Sequence, residues 1–267
     1  MNLPDLLHVT FAMDQHVATV TLNRPEVRNA LNARAYADLE AVFHHIQSVP
    51  DVRVVILTGA DPAFCSGEDV KQMMTGPERE RSQSRLTAVR PKLTPPARAI
   101  LDCDRPIIAA VNGAAVGWGM ELCLFADIRI ASERAQFGEI FIKRGLVTDI
   151  GGMMILPRLV GPQKAAELLF TGDIIDAREA ARIGLVTKVT PHDELLAEAQ
   201  SLARRIASNA PLALRYMKEG LRRAAAQDAT EFGSWVSATL GRLFQTEDHR
   251  EGAASFLEKR LPQFQGR

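Results

Sequence analysis

"RVVILTGADPAFCSGEDVKQM", residues 53–73, changes character twice within 21 residues. Arg53 to Thr58 is an almost unbroken apolar run rich in β-branched residues, the pattern of a strand covered on both faces. Cys65, Ser66 and Gly67 then turn the chain, and Glu68 and Asp69 stand where a helix would begin. A surface loop needs no such order, whereas a turn that offers backbone N–H groups to an oxygen does. The plan returns further on: "RPIIAAV" (105–111) reads as a second buried strand, "NGAAVGWG" (112–119) as its turn, and "MELCLF" (120–125) as its helix. Strands alternating with helices predict an α/β fold with parallel segments.

The chain has 267 residues, enough for one large core or a core with a smaller appendix. Lys+Arg and Asp+Glu balance at 32 each, which argues against a general nucleic-acid binder. Three cysteines, Cys65, Cys103 and Cys123, show no metal-ligand spacing, and no metal is expected. With "MNLPDLLHVTF" lacking the basic start and apolar run of a signal peptide, they suggest a reduced, cytoplasmic protein. No apolar run is long enough for a membrane span.

Around the two units, residues 8–22 alternate as a hairpin would. Asn32 is placed to cap a helix over 33–48 whose Leu39, Val42, Phe43 and Ile46 share a face. Residues 75–96 are charged and proline-flanked, and read as a loop or short helix. "DIRIAS" (127–132) is a third strand. Beyond Gly151 helices are expected over 152–160, 163–170, 177–183 and 193–208, with a short strand near 185–189. From Pro211 the chain is helical to its end.

Two helix starts facing each other could both donate to one oxygen, as an oxyanion hole does. Ser66, Gly67, Gly117 and Gly119 are small enough for a substrate to approach that backbone. "GWGMEL" is no dinucleotide fingerprint, since the third glycine is absent. There is no G-x-S-x-G, and Ser66 has no histidine partner in sequence, which disfavours a serine hydrolase.

These blocks, with "TLNRPEVRNALN" (21–32), "AQFGEIFIKRGLVTDIGGMMILPRLVG" (135–161), "LLFTGDIIDAREAARIGLVTKV" (168–189) and "FLEKR" (256–260), resemble in sequence and order the crotonase superfamily, the enoyl-CoA hydratase/isomerase family. The resemblance covers nearly the whole chain. It implies the ClpP/crotonase-like α/β fold of repeated ββα units. A core with an acyl-CoA site would span residues 1–204, and a C-terminal helical trimerisation region 205–267. It also implies an acyl-CoA substrate, a homotrimer or dimer of trimers, and no cofactor beyond the coenzyme A that enters with the substrate.

In that family the two backbone donors would be Glu68 N–H and Trp118 N–H, with the thioester oxygen between them. Glu121 matches the first catalytic glutamate of the hydratases. An acid among the apolar neighbours of "MELCLF" is uncommon without a task. The second hydratase glutamate falls on Phe141, so a two-glutamate water clamp cannot form as it does in the hydratases. Asp149, in "GLVTDIGG", matches a carboxylate that some isomerases of the superfamily carry; its plainer reading is a helix N-cap. Glu139 is expected at the surface or in an ion pair. Phe141 and Trp118 would line the acyl pocket. Arg28, Ser66, Glu68, Asp69, Val70, Lys71, Phe256 and Lys259 fall where relatives contact coenzyme A, and Asp69 reads equally as a helix cap.

The resemblance thus implies double-bond isomerisation, hydration, or both, through an enolate, with the site residues leaning toward isomerisation. Two alternatives stand beside it: a 2-enoyl-CoA hydratase working with Glu121 alone, and a non-catalytic acyl-CoA binder.

Overall fold

The computed structural model describes residues 3–73, 77, 80 and 93–267, so most of the 75–96 segment lies outside the described residues. The expected hairpin forms from β1 (Val9–Asp14) and β2 (Val17–Leu22), paired antiparallel with Val9 opposite Leu22. Its two turn residues, Gln15 and His16, take φ of 45° and 68°, the left-handed geometry that matches the twist of a tight hairpin.

Next to β2 lie β3 (Val54–Gly59), β4 (Ile107–Val111), β6 (Ile128–Ser132) and β9 (Lys188–Thr190), each parallel to its neighbour. Together with β1 they make a six-stranded sheet in the order β1-β2-β3-β4-β6-β9. Successive side chains of a strand point to opposite faces. Val55 and Leu57 of β3 and Ile107 and Ala109 of β4 therefore join the larger core, with Leu39, Val42, Phe43 and Ile46 of the helix Ala33–Ser48. Val54, Ile56, Ile108 and Ala110 face the other way, onto Leu195, Ala199, Ala203 and Ala207 of the helix Leu195–Ala207. Covering both faces is why β3 and β4 read as unbroken apolar runs.

Asn32 caps its helix as expected, its side-chain oxygen accepting the Ala35 N–H at 2.9 Å. The stretch read as pure turn after β4 holds a short strand, β5 (Ala114–Val116). With β7 (Gln136–Gly138) and β8 (Ile175–Asp176) it makes a second sheet of three strands. A further helix, Pro95–Asp102, starts under a Thr94 cap with Pro at its first position, a start signal hidden in the charged run before it. The segment expected as one helix over 152–160 divides into a π-helical turn, Gly151–Ile155, and the helix Leu156–Val160.

The position at residue 204 lies inside the helix Leu195–Ala207. Beyond it run the helices Pro211–Arg223, Ala229–Leu243 and Glu247–Glu258. They are anchored to the β-core through buried charge. Lys218 donates to the Arg105 carbonyl at 2.5 Å and pairs with Asp127 at 2.7 Å. Arg53, at the foot of β3, donates to the carbonyls of Ala207 (3.1 Å) and Phe264 (2.8 Å). No helix among the described residues is long and apolar enough to cross a membrane.

Candidate active site

The two strand–turn–helix units meet back to back. Cys65 N–H donates to the Ala114 carbonyl at 2.8 Å, and Val116 N–H returns to the Cys65 carbonyl at 3.1 Å. This pairing needs bare backbone on both sides. A Cβ at Gly119 would lie 2.0 Å from the Cys65 oxygen, and one at Gly67, where φ is +91°, would lie 2.9 Å from the Val116 oxygen and 3.4 Å from the Trp118 nitrogen.

The outer side of the first turn is held by residue 31. Leu31 N–H donates to Gly67 O and Asp69 N–H to Leu31 O, both at 2.8 Å. In that parallel bridge the N–H of the residue between, Glu68, is left over. Trp118 opens the helix Trp118–Phe125, so its N–H has no intrahelical acceptor either. Among the described residues neither Glu68 N–H nor Trp118 N–H donates to another group.

A pocket opens at this junction. The turns contribute Ser66, Gly67, Glu68, Gly117 and Trp118, and the facing wall is Ile140, Phe141, Arg144 and Leu146. Trp118 and Phe141, expected at the acyl group, are both among its lining residues. Trp118 is 3% exposed, its ring in edge contact with Tyr36 (4.9 Å) and Phe125 (6.0 Å). Its Nε1–H donates to Asp149 Oδ2 at 3.3 Å. The other Asp149 oxygen accepts the N–H of the next residue, Ile150, at 2.8 Å.

The donors at the following helix start belong to a different acid. Gly151 N–H donates to Glu121 Oε2 at 2.6 Å and Gly152 N–H to Glu121 Oε1 at 3.1 Å, while the Thr148 hydroxyl lies 2.6 Å from Oε1. Glu121 is fully buried. Burial pushes its carboxyl up, Thr148 and the two amides oppose that, and the nearby charge of Asp149 adds to it.

Glu139 departs from expectation. It is 2% exposed and, among the described residues, forms no ion pair; its Oε2 lies 2.8 Å from the same Thr148 hydroxyl, and its Oε1 has no partner among them. The cause is topological: β7 is paired on both sides, by β5 and β8, so the residue that follows is delivered inward to where Glu121 and Thr148 converge. Burial and the charge of Glu121 raise its carboxyl further above the ordinary range than that of Glu121. Sequence reasoning missed both Glu139 and Thr148; for Thr148 the available signal was Gly152, whose Cβ would lie 2.3 Å from the Thr148 hydroxyl oxygen, and for Glu139 there was none.

The residues expected at coenzyme A divide into two groups. Near the first turn, Arg28 accepts the Ser66 N–H with its carbonyl at 3.0 Å, and its side chain is exposed. Asp69 accepts from Arg24 at 3.1 Å and from the Gln72 N–H at 3.3 Å, which is the cap of the short helix Val70–Met73; Val70 and Lys71 sit exposed on it. The Glu68 carboxylate accepts from the Tyr36 hydroxyl at 3.2 Å, toward the helix Ala33–Ser48. Phe256 and Lys259 form the other group, at the end of the helix Glu247–Glu258, whose side chains bond to residues 260–267 rather than to either turn.

Comparison with known proteins gives the family and the fold. The family model for enoyl-CoA hydratase/isomerase matches residues 12–267. The chain is 39% identical over 261 residues to the (E)-benzylidenesuccinyl-CoA hydratase of Thauera aromatica, covering 97% of this chain and 99% of that protein. It is 37% identical over 257 residues to the short-chain-enoyl-CoA hydratase of Clostridium acetobutylicum, covering 96% and 97%. The crystal structure of an enoyl-CoA hydratase from Bacillus anthracis superposes with a TM-score of 0.90 at 34% identity, over 98% of this chain and all of that one.

Proposed function

Because the chain belongs to the enoyl-CoA hydratase/isomerase family, we propose that it moves a double bond along the acyl chain of an enoyl-CoA through an enolate. The thioester oxygen would sit between Glu68 N–H and Trp118 N–H, where charge develops as a proton leaves C2. Asp149 takes that proton, the double bond shifts from C3–C4 to C2–C3, and the proton returns to C4. One carboxylate is enough, and no water needs to be held.

The observation that carries this reading is the contrast between the two acids. Asp149 is half-buried and is held by the indole of a pocket residue. Glu121 is sealed from solvent with both oxygens taken, and Phe141, which lines the pocket, falls by resemblance at the sequence position where hydratases of the family carry a second acid. Coenzyme A would reach Arg28, Ser66, Asp69, Val70 and Lys71 beside the first turn, with Phe256 and Lys259 meeting it from a neighbouring subunit.

Incubation of the purified protein with a 3-enoyl-CoA, followed by chromatography and mass detection, tests the proposal. Conversion to the isobaric 2-enoyl-CoA faster than any 3-hydroxyacyl-CoA appears is the expected result. Hydration by Glu121 is the second reading, supported by the raised proton affinity of that carboxyl and by the activities named for the relatives. It would show as water addition to a 2-enoyl-CoA without interconversion of the isomers. Binding without turnover of either substrate would leave an acyl-CoA-binding protein.

A further inference from the structure

One hydroxyl stands between two buried carboxyls. Thr148 Oγ1 is 2.6 Å from Glu121 Oε1 and 2.8 Å from Glu139 Oε2, and both glutamates are at most 2% exposed. A hydroxyl has one proton to give. It can donate to one carboxyl and must accept from the other, so the three groups together hold at least one carboxylic acid proton. The surroundings decide where it resides. Glu121 already accepts from Gly151 N–H and Gly152 N–H, which suits a carboxylate. Among the described residues Glu139 has no donor besides Thr148 and its second oxygen has no partner, which suits a neutral acid, because an unpaired buried charge is costly.

From this geometry we infer that Glu139 is carried as a neutral carboxylic acid and, through Thr148, shares its proton with Glu121, which makes Glu139 and Thr148 positioning residues for the reaction at the pocket. The path balances: the Glu139 proton passes to Thr148 Oγ1 as the Thr148 proton passes to Glu121, leaving one carboxylate and one acid with their identities exchanged. Glu121 can therefore gain or lose a proton without contact with solvent, and the negative charge beside Asp149 is set inside the protein. The groups facing the pair agree. Asp149 acts on both carboxyls as a like charge, the charge of Glu139 and the opposing charge of Arg129 both reach the buried Cys123 thiol, and no cation among the described residues pairs with either glutamate. The role in turnover rests on the isomerase or hydratase reading above; the shared proton does not.

Isotope-edited infrared spectroscopy of the folded protein, with glutamate 13C-labelled at the side-chain carboxyl, reads the proton directly. At pH 8 the wild type is expected to show the C=O stretch of a protonated carboxylic acid, and Glu139→Gln is expected to lose it. Absence of the band in the wild type, or its retention in Glu139→Gln, overturns the inference, whatever the activity. The second arm is kinetic. Thr148→Val, which breaks the path, should lower kcat by about tenfold or more while KM stays within twofold, and Thr148→Ser should restore it. Glu139→Gln should simplify the pH dependence of kcat/KM by removing one ionisation. A pH profile that superposes on the wild type after scaling, or failure of Ser to rescue a folded Thr148 variant, would reduce Glu139 and Thr148 to packing residues. Absence of enoyl-CoA turnover in the wild type, with the infrared band present, would overturn the role in turnover but leave the shared proton standing.

Discussion

Trp118 donates its indole N–H to Asp149 across 3.3 Å, so the residue that begins one helix also fixes the acid just ahead of the next. The same residue presents at the pocket a backbone N–H that donates to no other group among the described residues. One side chain thus sets the spacing between the point where charge would develop and the group that would carry the proton.

Trp118→Phe keeps the ring packed on Tyr36 and Phe125 and keeps the backbone donor, but removes the bond to Asp149. A hydrogen bond to a charged group contributes about 1.5–3 kcal/mol. We expect kcat to fall between about tenfold and a hundredfold with KM nearly constant in steady-state assays. An unchanged kcat would mean that Asp149 is positioned by the Ile150 N–H alone.

Asp149→Asn preserves shape and removes the base. Isomerisation of a 3-enoyl-CoA should drop by about a hundredfold or more, the range typical of a general acid–base group. Calorimetric affinity for a saturated acyl-CoA should change less than threefold. If full activity survives, and Glu121→Gln alone abolishes hydration of a 2-enoyl-CoA, the one-glutamate hydratase reading is the correct one.

Gly119→Ala would drive a methyl group into the Cys65 carbonyl, 2.0 Å from the ideal Cβ position. Neither partner is a flexible side chain, so the two turns must separate, at a cost of about 1–3 kcal/mol in thermal unfolding and with loss of turnover. Gly241→Ala is the control: nothing lies within 4 Å of its Cβ in the helix Ala229–Leu243, and it should stabilise by about 0.5–1 kcal/mol.

The buried glutamates make stability fall as pH rises. Burial raises Glu121 from 4.5 to about 7, and burial with the charge of Glu121 raises Glu139 from 4.5 to about 9. Between the ordinary and the raised values the folded chain binds more protons than the unfolded one. Stability therefore declines with pH across this window, by at most about 1.4 kcal/mol per pH unit for each proton concerned. Urea midpoints should decrease from pH 5 to pH 9 in the wild type, and Glu139→Gln should flatten the upper half of that decline.

Leu240 and Phe244 are exposed on the C-terminal helices, as are Met217, Leu221, Phe256 and Leu257, whereas Trp235 and Leu243 are half-buried. Trp235 is occupied within the chain, stacked on Phe232 at 5.7 Å and covered by Arg223. We expect light scattering to give three or six times the monomer mass, and Phe244→Glu to reduce it. A monomer at micromolar concentration would refute the assembly.

Much of this architecture was legible because it rests on local rules. The apolar runs of β3 and β4, the Asn32 cap and the face of Leu39, Val42, Phe43 and Ile46 each follow from residues within a few positions of one another. The proton-holding cluster was not legible in this way. Glu121, Glu139 and Thr148 are up to 27 residues apart, and nothing near Glu139 marks it as buried. Its burial follows from β7 pairing on both edges, a property of the assembled sheet. β5 was hidden for a similar reason: three small or apolar residues become a strand only because β7 lies beside them.

The bridge between Leu31 and the first turn has a consequence for exchange of amide hydrogens with solvent. Around the pocket the N–H groups of Leu31, Cys65, Ser66, Asp69, Val116 and Gly117 are all bonded to carbonyls, whereas those of Glu68 and Trp118 have no acceptor among the described residues. Slow-exchanging amides therefore flank these two, which report on the pocket individually. A bound acyl group that accepts from both would slow them together, while a ligand held only by its nucleotide end would leave them unchanged. The empty bonding capacity of two peptide groups becomes a residue-resolved clock for whether the thioester carbonyl is seated.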